Sequence, residues 1–474
     1  MPHELCFLSA AELRARIQRK TLSPVELTQA VLDRAARLQP TLNCFITLCA
    51  DEAMDAARQA ERDVMAGKPL GLLHGIPFTV KDIVNTAGVR TTFGAAPMRD
   101  NVPEQDAVAV ARLRAQGAIL IGKTTTPEFG SKCLTDSPLF GQTRNAWHAE
   151  RTSGGSSGGA AVAVASGIAP LAVATDGGGS TRIPAACNGV VGIKQSNGVI
   201  PHSQAQDLFG NQTYVTPTTR TVADTGLMMQ AMAGEHPCDP WSVGVPVPDY
   251  IDAARAEGDL RGKRILYCLA PPERSVSGDV ARAFEASLGK LAALGAELVP
   301  FDGEGFNVEA MWRAINHTVW RSRFVDIVAK HGDALSATFV RQIQSAAEVS
   351  GVQYQQAMFD RSRLFLRVQG LLAQGDLLAM PTLTRTALPI DQDLFGTIDI
   401  DGEACENVRG SWFPWTMPFN MTGHPAISLP CGFGEDGLPI GLQLVGRFRG
   451  DADLLRAAAL FESAYPFTDR WPAL

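Results

Sequence analysis

Ser153-Gly154-Gly155-Ser156-Ser157-Gly158-Gly159 opens, and Asp176-Gly177-Gly178-Gly179-Ser180-Thr181-Arg182-Ile183-Pro184 closes, a segment whose middle is an Ala/Val run followed by Leu171-Ala172-Val173-Ala174. Glycine at this density costs backbone entropy and is expected only where the chain needs unusual φ/ψ or close approach. A Gly/Ser linker is a continuous coil. These glycines instead bracket an apolar helix and a short buried strand, which sets the expectation of a sheet covered by helices.

Working outward, helix and strand keep alternating. Ser9-Ala10-Ala11-Glu12 and Ser23-Pro24-Val25-Glu26 read as capping boxes, the second with Pro at the first helical position. Helical pattern continues over Val31 to Leu38 and Asp51 to Met65. Ile76 to Val80 alternates as a strand, Asp106 to Gln116 is a helix closed by Gly117, and Ala118 to Ile121 is a short buried strand. Arg264 to Leu269 and Glu297 to Phe301 read as strands around a helix from Asp279 to Leu294. Long helical stretches in 307–373 precede strands at Leu377 to Met380, Ala426 to Leu429 and Ile440 to Val445, then a helix from Asp451 to Ser463. The pattern predicts an α/β fold, one large domain over residues 1–474 with a central mixed β-sheet flanked by helices on both faces.

The formal net charge of -7 argues against a general nucleic-acid or anionic-membrane surface. Nine cysteines include no C-x-x-C pair and no zinc spacing, so they are expected as reduced thiols. Glu4 and the lack of a basic run argue against a signal peptide. Ala160 to Ala174 is broken by Ser166, Gly167 and Pro170 and is shorter than the roughly 20 residues of a membrane span. The expectation is a cytoplasmic protein with no cofactor, no metal, no nucleic-acid partner and no membrane partner.

Three chemistries compete for the glycine–serine segments. A phosphate cradle at a helix N-terminus would need a G-x-x-x-x-G-K-[ST] or a strand–G-x-G-x-x-G–helix unit, and neither is present. Gly154 to Gly158 satisfies G-x-S-x-G, but that elbow follows directly on a strand, and His148 to Thr152 is polar and irregular. In the third reading the N–H groups of Gly177, Gly178, Gly179 and Ser180 form a nest beside a serine hydroxyl, able to hold the oxyanion of a tetrahedral intermediate. A nucleophilic serine needs a base. None of the eight histidines is tied to these serines by a motif, and Lys81, at the end of the 76–80 strand, is the other candidate. Residue type and spacing go no further.

The same residues closely resemble the amidase signature family. The likeness runs through Gly154 to Gly159, Asp176 to Ala185, His74 to Asp82, Gly122 to Phe129 and Phe140 to Asn145. It returns at Met417 to Asn420, Gly423 to Pro430 and Gly437 to Gln443, so it covers most of 70–200 and 415–446. The resemblance implies a Ser–cis-Ser–Lys triad. By position, Lys81 is the lysine, Ser156 the bridging serine after a cis peptide bond from Gly155, and Ser180 the nucleophile that forms an acyl-enzyme. Gly177, Gly178 and Gly179 would make the oxyanion hole, supported by Ser157, Asp176 and Arg182. Thr125, Gly177 and Thr181 depart from the family's usual residues, which bears on loop geometry and removes no catalytic group.

The span 200–415 matches only loosely, and there the family builds its substrate pockets. One subgroup releases ammonia from glutamine for charged-tRNA amidation and carries an acidic residue for the substrate's amino group. Phe413 stands at that place, inside Trp412-Phe413-Pro414-Trp415. An apolar wall gives an ammonium no partner, and a buried unpaired charge is costly. The expected substrate is therefore a small to medium hydrophobic anilide, aliphatic amide or carbamate. The expected pocket residues are Phe129, Gly130, Ser131, Cys133, Phe413 and Trp415. A homodimer is an allowed assembly. The rivals are the glutamine-hydrolysing subunit of a tRNA-dependent amidotransferase and a non-catalytic binding protein of the same fold, the second disfavoured because all three triad positions are filled.

Overall fold

The computed structural model describes residues 5–467 and 470–474; Glu4, used in reading the N-terminus, lies outside the described residues. Eleven strands make one sheet. They are β1 Phe45–Leu48, β2 Pro77–Lys81, β3 Ile119–Thr124, β4 Leu171–Asp176, β5 Val191–Lys194, β6 Tyr214–Thr219, β7 Arg264–Tyr267, β8 Glu297–Pro300, β9 Leu377–Pro381, β10 Ala426–Phe433 and β11 Pro439–Gly446. Their spatial order is β1-β3-β2-β4-β6-β5-β10-β11-β9-β7-β8. β2 runs parallel to β3 and β4, and β7 parallel to β8 and β9, while the strands between these wings pair antiparallel. The sheet is mixed, as expected.

Side chains alternate across a strand, and here both faces are apolar. Along β9, Leu377 and Ala379 join one core cluster, Leu378 and Met380 the other. The first cluster includes Leu13, Leu27 and Val31 from helices Ala10–Gln18 and Pro24–Leu42. The second includes Trp312, Leu364 and Val368 from Glu309–His331 and Gly351–Leu372. Helices thus cover both faces. No described helix is long and apolar enough to cross a membrane.

Ser9 and Ser23 cap their helices as expected, accepting from Glu12 N and from Val25 N and Glu26 N. Neither box closes reciprocally: the Glu12 carboxylate takes Arg16 at 2.8 Å, and the Glu26 carboxylate does not accept from Ser23 N. Strands β1, β5 and β6 have no clear signal in the sequence pattern. β6 carries Pro217, which normally argues against an interior strand. Its pairing with β5 stops at Thr218, so on that side the missing N–H is not needed. β5 is short and holds Gly192, where a Cβ would meet Ala185 Cβ at 2.7 Å; this glycine lets helix Arg182–Asn188 settle on the sheet.

Candidate active site

Lys81 is the last residue of β2, and Thr175 and Asp176 end the adjacent β4. Between them arrives the loop that carries Ser156 and Ser157 into helix Gly158–Ala165. The loop is moulded by its surroundings. A Cβ on Gly155 would sit 2.8 Å from Leu134 N, one on Gly158 2.5 Å from Thr135 Oγ1, and one on Gly159 2.5 Å from Thr125 N. That close approach is the reason for the glycine density. The Gly155–Ser156 peptide is cis, as the resemblance implied.

Lys81 is fully buried, with Nζ 2.6 Å from Ser156 Oγ, 2.9 Å from Ser157 Oγ and 2.8 Å from Thr175 Oγ1. Burial holds its pKa well below the usual lysine value, against the opposing pull of the Asp176 charge. A neutral amine has two N–H donors and one lone pair, which matches three hydroxyl neighbours. Ser157 Oγ already donates to Thr175 O at 3.1 Å, so it accepts from Lys81. The closest neighbour, Ser156, is then placed to give its proton to the lone pair.

Ser180 is half-buried, and its carbonyl accepts from Ser157 N at 3.1 Å, which ties the two loops together. Ser156 and Ser180 line one cavity, together with Gly177 and Gly178. Among the described residues the Ser180 hydroxyl has no hydrogen-bond partner, so the Ser156–Ser180 link is not made in this state; such bonds often tighten only with substrate bound. The oxyanion expectation needs one correction. Gly179 N–H donates to Asp176 Oδ1 at 2.7 Å and is not free for an anion. Among the described residues the N–H groups of Gly177, Gly178 and Ser180 have no acceptor and remain available to an anion.

Asp176 and Arg182 form a fully buried two-pronged pair, Nη2 to Oδ1 and Nε to Oδ2, each at 3.0 Å. Burial alone would raise the Asp176 pKa, but the Arg182 charge and hydrogen bonds from Arg182, Asn420 and Thr181 N hold it down to about 2. Asn420 and Gln443 complete the network, accepting from Arg182 at 2.6 Å and 2.8 Å. The pair therefore holds the loop backbone. It does not enter the cavity.

Two loop anchors carry no signal in the sequence. Trp312 Nε1 donates to Gly177 O at 2.9 Å, and Thr416 Oγ1 to Gly178 O at 2.7 Å. In a trans peptide, fixing the Gly177 carbonyl aims the Gly178 N–H the opposite way. Both anchors lie far along the chain and read as ordinary core residues. Trp312→Phe keeps an aromatic ring, smaller than the indole, and removes the donor. Its expected effect is a fall in kcat of about ten- to a hundredfold with little change in KM, measured by steady-state amide hydrolysis.

Phe129, Gly130, Ser131, Cys133 and Phe413 all line the cavity, as expected. Gly130 has φ 69°, and a Cβ on it would stand 3.3 Å from Ser156 Oγ, so a side chain there would crowd the hydroxyl. Trp415 does not line it. Its side chain turns into the core against Phe306 and Phe301, with Nε1 donating to Leu269 O at 3.1 Å. Phe129 packs against Phe324 and Phe339, the rings tilted by 31° and their centroids 4.4 Å and 5.2 Å away, to make an aromatic cluster.

A family model for amidases matches residues 26–455 of the chain. The chain belongs to the amidase signature family. This amidase is 36% identical over 472 residues to an acylamidase of Rhodococcus erythropolis, covering 99% of this chain and 98% of that one. It is 33% identical over 493 residues to a glutamyl-tRNA(Gln) amidotransferase subunit of Thermosynechococcus vestitus, covering 98% of this chain and 99% of that one. The amidase also superposes on a bacterial aryl acylamidase of the amidase signature family with a TM-score of 0.90, at 29% identity over 98% of this chain and 97% of that chain.

Proposed function

We propose that this amidase hydrolyses carbon–nitrogen amide bonds through an acyl-enzyme on Ser180, with Ser156 and Lys81 as its proton relay. Ser180 Oγ attacks the amide carbonyl, its proton passes to Ser156, and the Ser156 proton passes to neutral Lys81. The oxyanion is received by the N–H groups of Gly177, Gly178 and Ser180. Collapse breaks the C–N bond, and Lys81 returns its proton through Ser156 to the leaving amine. Water then repeats the sequence on the acyl ester and frees the carboxylic acid. The observation that carries this reading is the buried Lys81 amine, held below its usual pKa and 2.6 Å from the Ser156 hydroxyl.

The substrate class we propose is an anilide, aliphatic amide or carbamate of small to medium size, acted on in the cytoplasm as a free small molecule. Residues 70–200 and 415–446 would then form the catalytic core and 200–415 much of the pocket. In support, Phe413, Trp312 and Phe324 line the cavity from that region, and Phe129 continues the apolar wall. The amidotransferase reading is favoured by the 33% relative, but a glutamine ammonium would face Phe413. Purified enzyme is expected to hydrolyse anilides with kcat/KM at least about 100-fold above free glutamine, a gap of roughly 2.7 kcal/mol. A screen of anilides, aliphatic amides, carbamates and glutamine measures this, and preference for glutamine would decide for the amidotransferase reading.

A further inference from the structure

Arg409, on helix Val408–Trp412, is only 5% exposed, yet it lines the cavity one turn before Phe413. A guanidinium keeps its charge in proteins and offers five N–H donors. Among the described residues Arg409 has one hydrogen-bond acceptor, the neutral Gln342 Oε1, and no carboxylate within ion-pair distance. Glu309, in its vicinity, is engaged with Arg313 at 3.8 Å. The other contact is the Trp312 ring, whose centroid is 5.6 Å from Arg409 Cζ. A cation–π contact offsets part of the desolvation. A buried cation without a counter-ion remains costly.

The rest of the cavity does not neutralise it. Lys132 is held by Asp136 at 2.6 Å, and Arg323 adds a second guanidinium to the lining. Asp207, exposed, accepts from the backbone N–H groups of Phe209 and Gly210 at 3.2 Å and 2.8 Å. Burial pushes the Cys133 thiol up to about 11, so it supplies no negative charge. Burial, with the nearby charges of Arg409 and Arg313, holds His317 down to about 3, so that ring is neutral as well.

We propose that Arg409 is the recognition site for a carboxylate carried by the substrate, so that the preferred amides are anilides or aliphatic amides bearing an acid group. The proposal rests on the amidase reading and deepens it. Trp312 sets the spacing, since its Nε1 holds Gly177 O while its ring lies beside the guanidinium. One indole therefore separates the oxyanion loop from Arg409, and the acid belongs about one aromatic ring's length from the scissile carbonyl. A planar fork of N–H donors matches a carboxylate in two parallel hydrogen bonds. The competing account makes Arg409 a tether for Gln342 alone, and it predicts indifference to substrate charge.

Matched substrates separate the two accounts. N-phenylsuccinamate against N-phenylbutanamide places the acid on the acyl side, and 4-acetamidobenzoate against 4-methylacetanilide places it on the amine side. For at least one pair the wild-type kcat/KM ratio, acid over neutral, is expected above about ten, and Arg409→Met lowers that ratio at least tenfold, about 1.4 kcal/mol. Wild-type ratios at or below one for both pairs, or a ratio unchanged in folded Arg409→Met, overturn the proposal. Should Arg409→Met not fold, benzoate is expected to inhibit wild-type hydrolysis of N-phenylbutanamide at least tenfold more strongly than benzyl alcohol, and equal inhibition overturns it. Calorimetric binding of benzoate to Ser180→Ala reads this site apart from the chemistry. Binding there with turnover retained in the same variant would fail the nucleophile assignment and leave the carboxylate site standing.

Discussion

Ser180→Ala is expected to lower kcat for amide hydrolysis by about 10⁴-fold or more, as loss of a catalytic nucleophile does in triad enzymes. The change should leave the fold alone. The Ser180 hydroxyl is half-buried and has no hydrogen-bond partner among the described residues, so its removal orphans nothing. Its effect on stability is expected within about 0.5 kcal/mol. Two measurements check this: steady-state turnover of an anilide by the purified variant, and intact-mass detection of an acyl adduct that appears with wild type and is absent from Ser180→Ala. Turnover retained by a folded variant would refute the assignment.

Lys81→Met is expected to cost about 10³- to 10⁴-fold in kcat/KM, in the upper range for loss of a general base. The wild-type pH profile carries the sharper signature. Protonated Lys81 has no lone pair, so log kcat/KM should fall with unit slope as the pH drops through its lowered pKa. It should stay flat up to the usual lysine value of 10.5. Activity that rises only near 10.5 would mean a solvated ammonium and would exclude the relay. Stability has its own sign. A lysine with a lowered folded pKa binds fewer protons folded than unfolded, so between the two pKa values stability rises with pH. The cost of burying Lys81 is full below its folded pKa and fades towards the unfolded one. Lys81→Met removes that dependence, so its unfolding free energy should vary less steeply with pH than that of wild type, as denaturant titration would read.

Lys81, Ser156 and Ser180 are legible in the sequence because their positions depend on local backbone demands that glycine reports directly. A Cβ on Gly158 or Gly159 would meet neighbouring atoms at 2.5 Å or less, and no other residue type meets that demand. Trp312, Thr416 and Arg409 are not legible. Trp312 and Thr416 reach the loop across more than a hundred residues of chain, Arg409 meets its partners Gln342 and Trp312 across 67 and 97, and no local motif marks any of the three. Trp415 departs from expectation for a related reason. In the run Trp412 to Trp415 every aromatic is buried, but only Phe413 faces the cavity, and that depends on where helix Val408–Trp412 ends. The Gly179 correction has the same character, since a row of glycines offers several N–H groups and only the fold decides which one Asp176 takes. Strand β6 is hidden because Thr and Pro dominate it and its rows of partners come from remote strands.

The loop bearing Ser156 is encased by Leu134, Thr135 and Thr125, whereas Phe324 and Phe413 line the cavity and Phe339 packs behind Phe129 and Phe324. Chemistry and selectivity are therefore inherited as separable modules. Lineages descending from such an ancestor are free to exchange the wall residues for new diets while the bond-breaking apparatus stays frozen. Directed evolution aimed at a new substrate should sample 315–345 and 409–413 and spare Trp312 with everything else that touches the glycines.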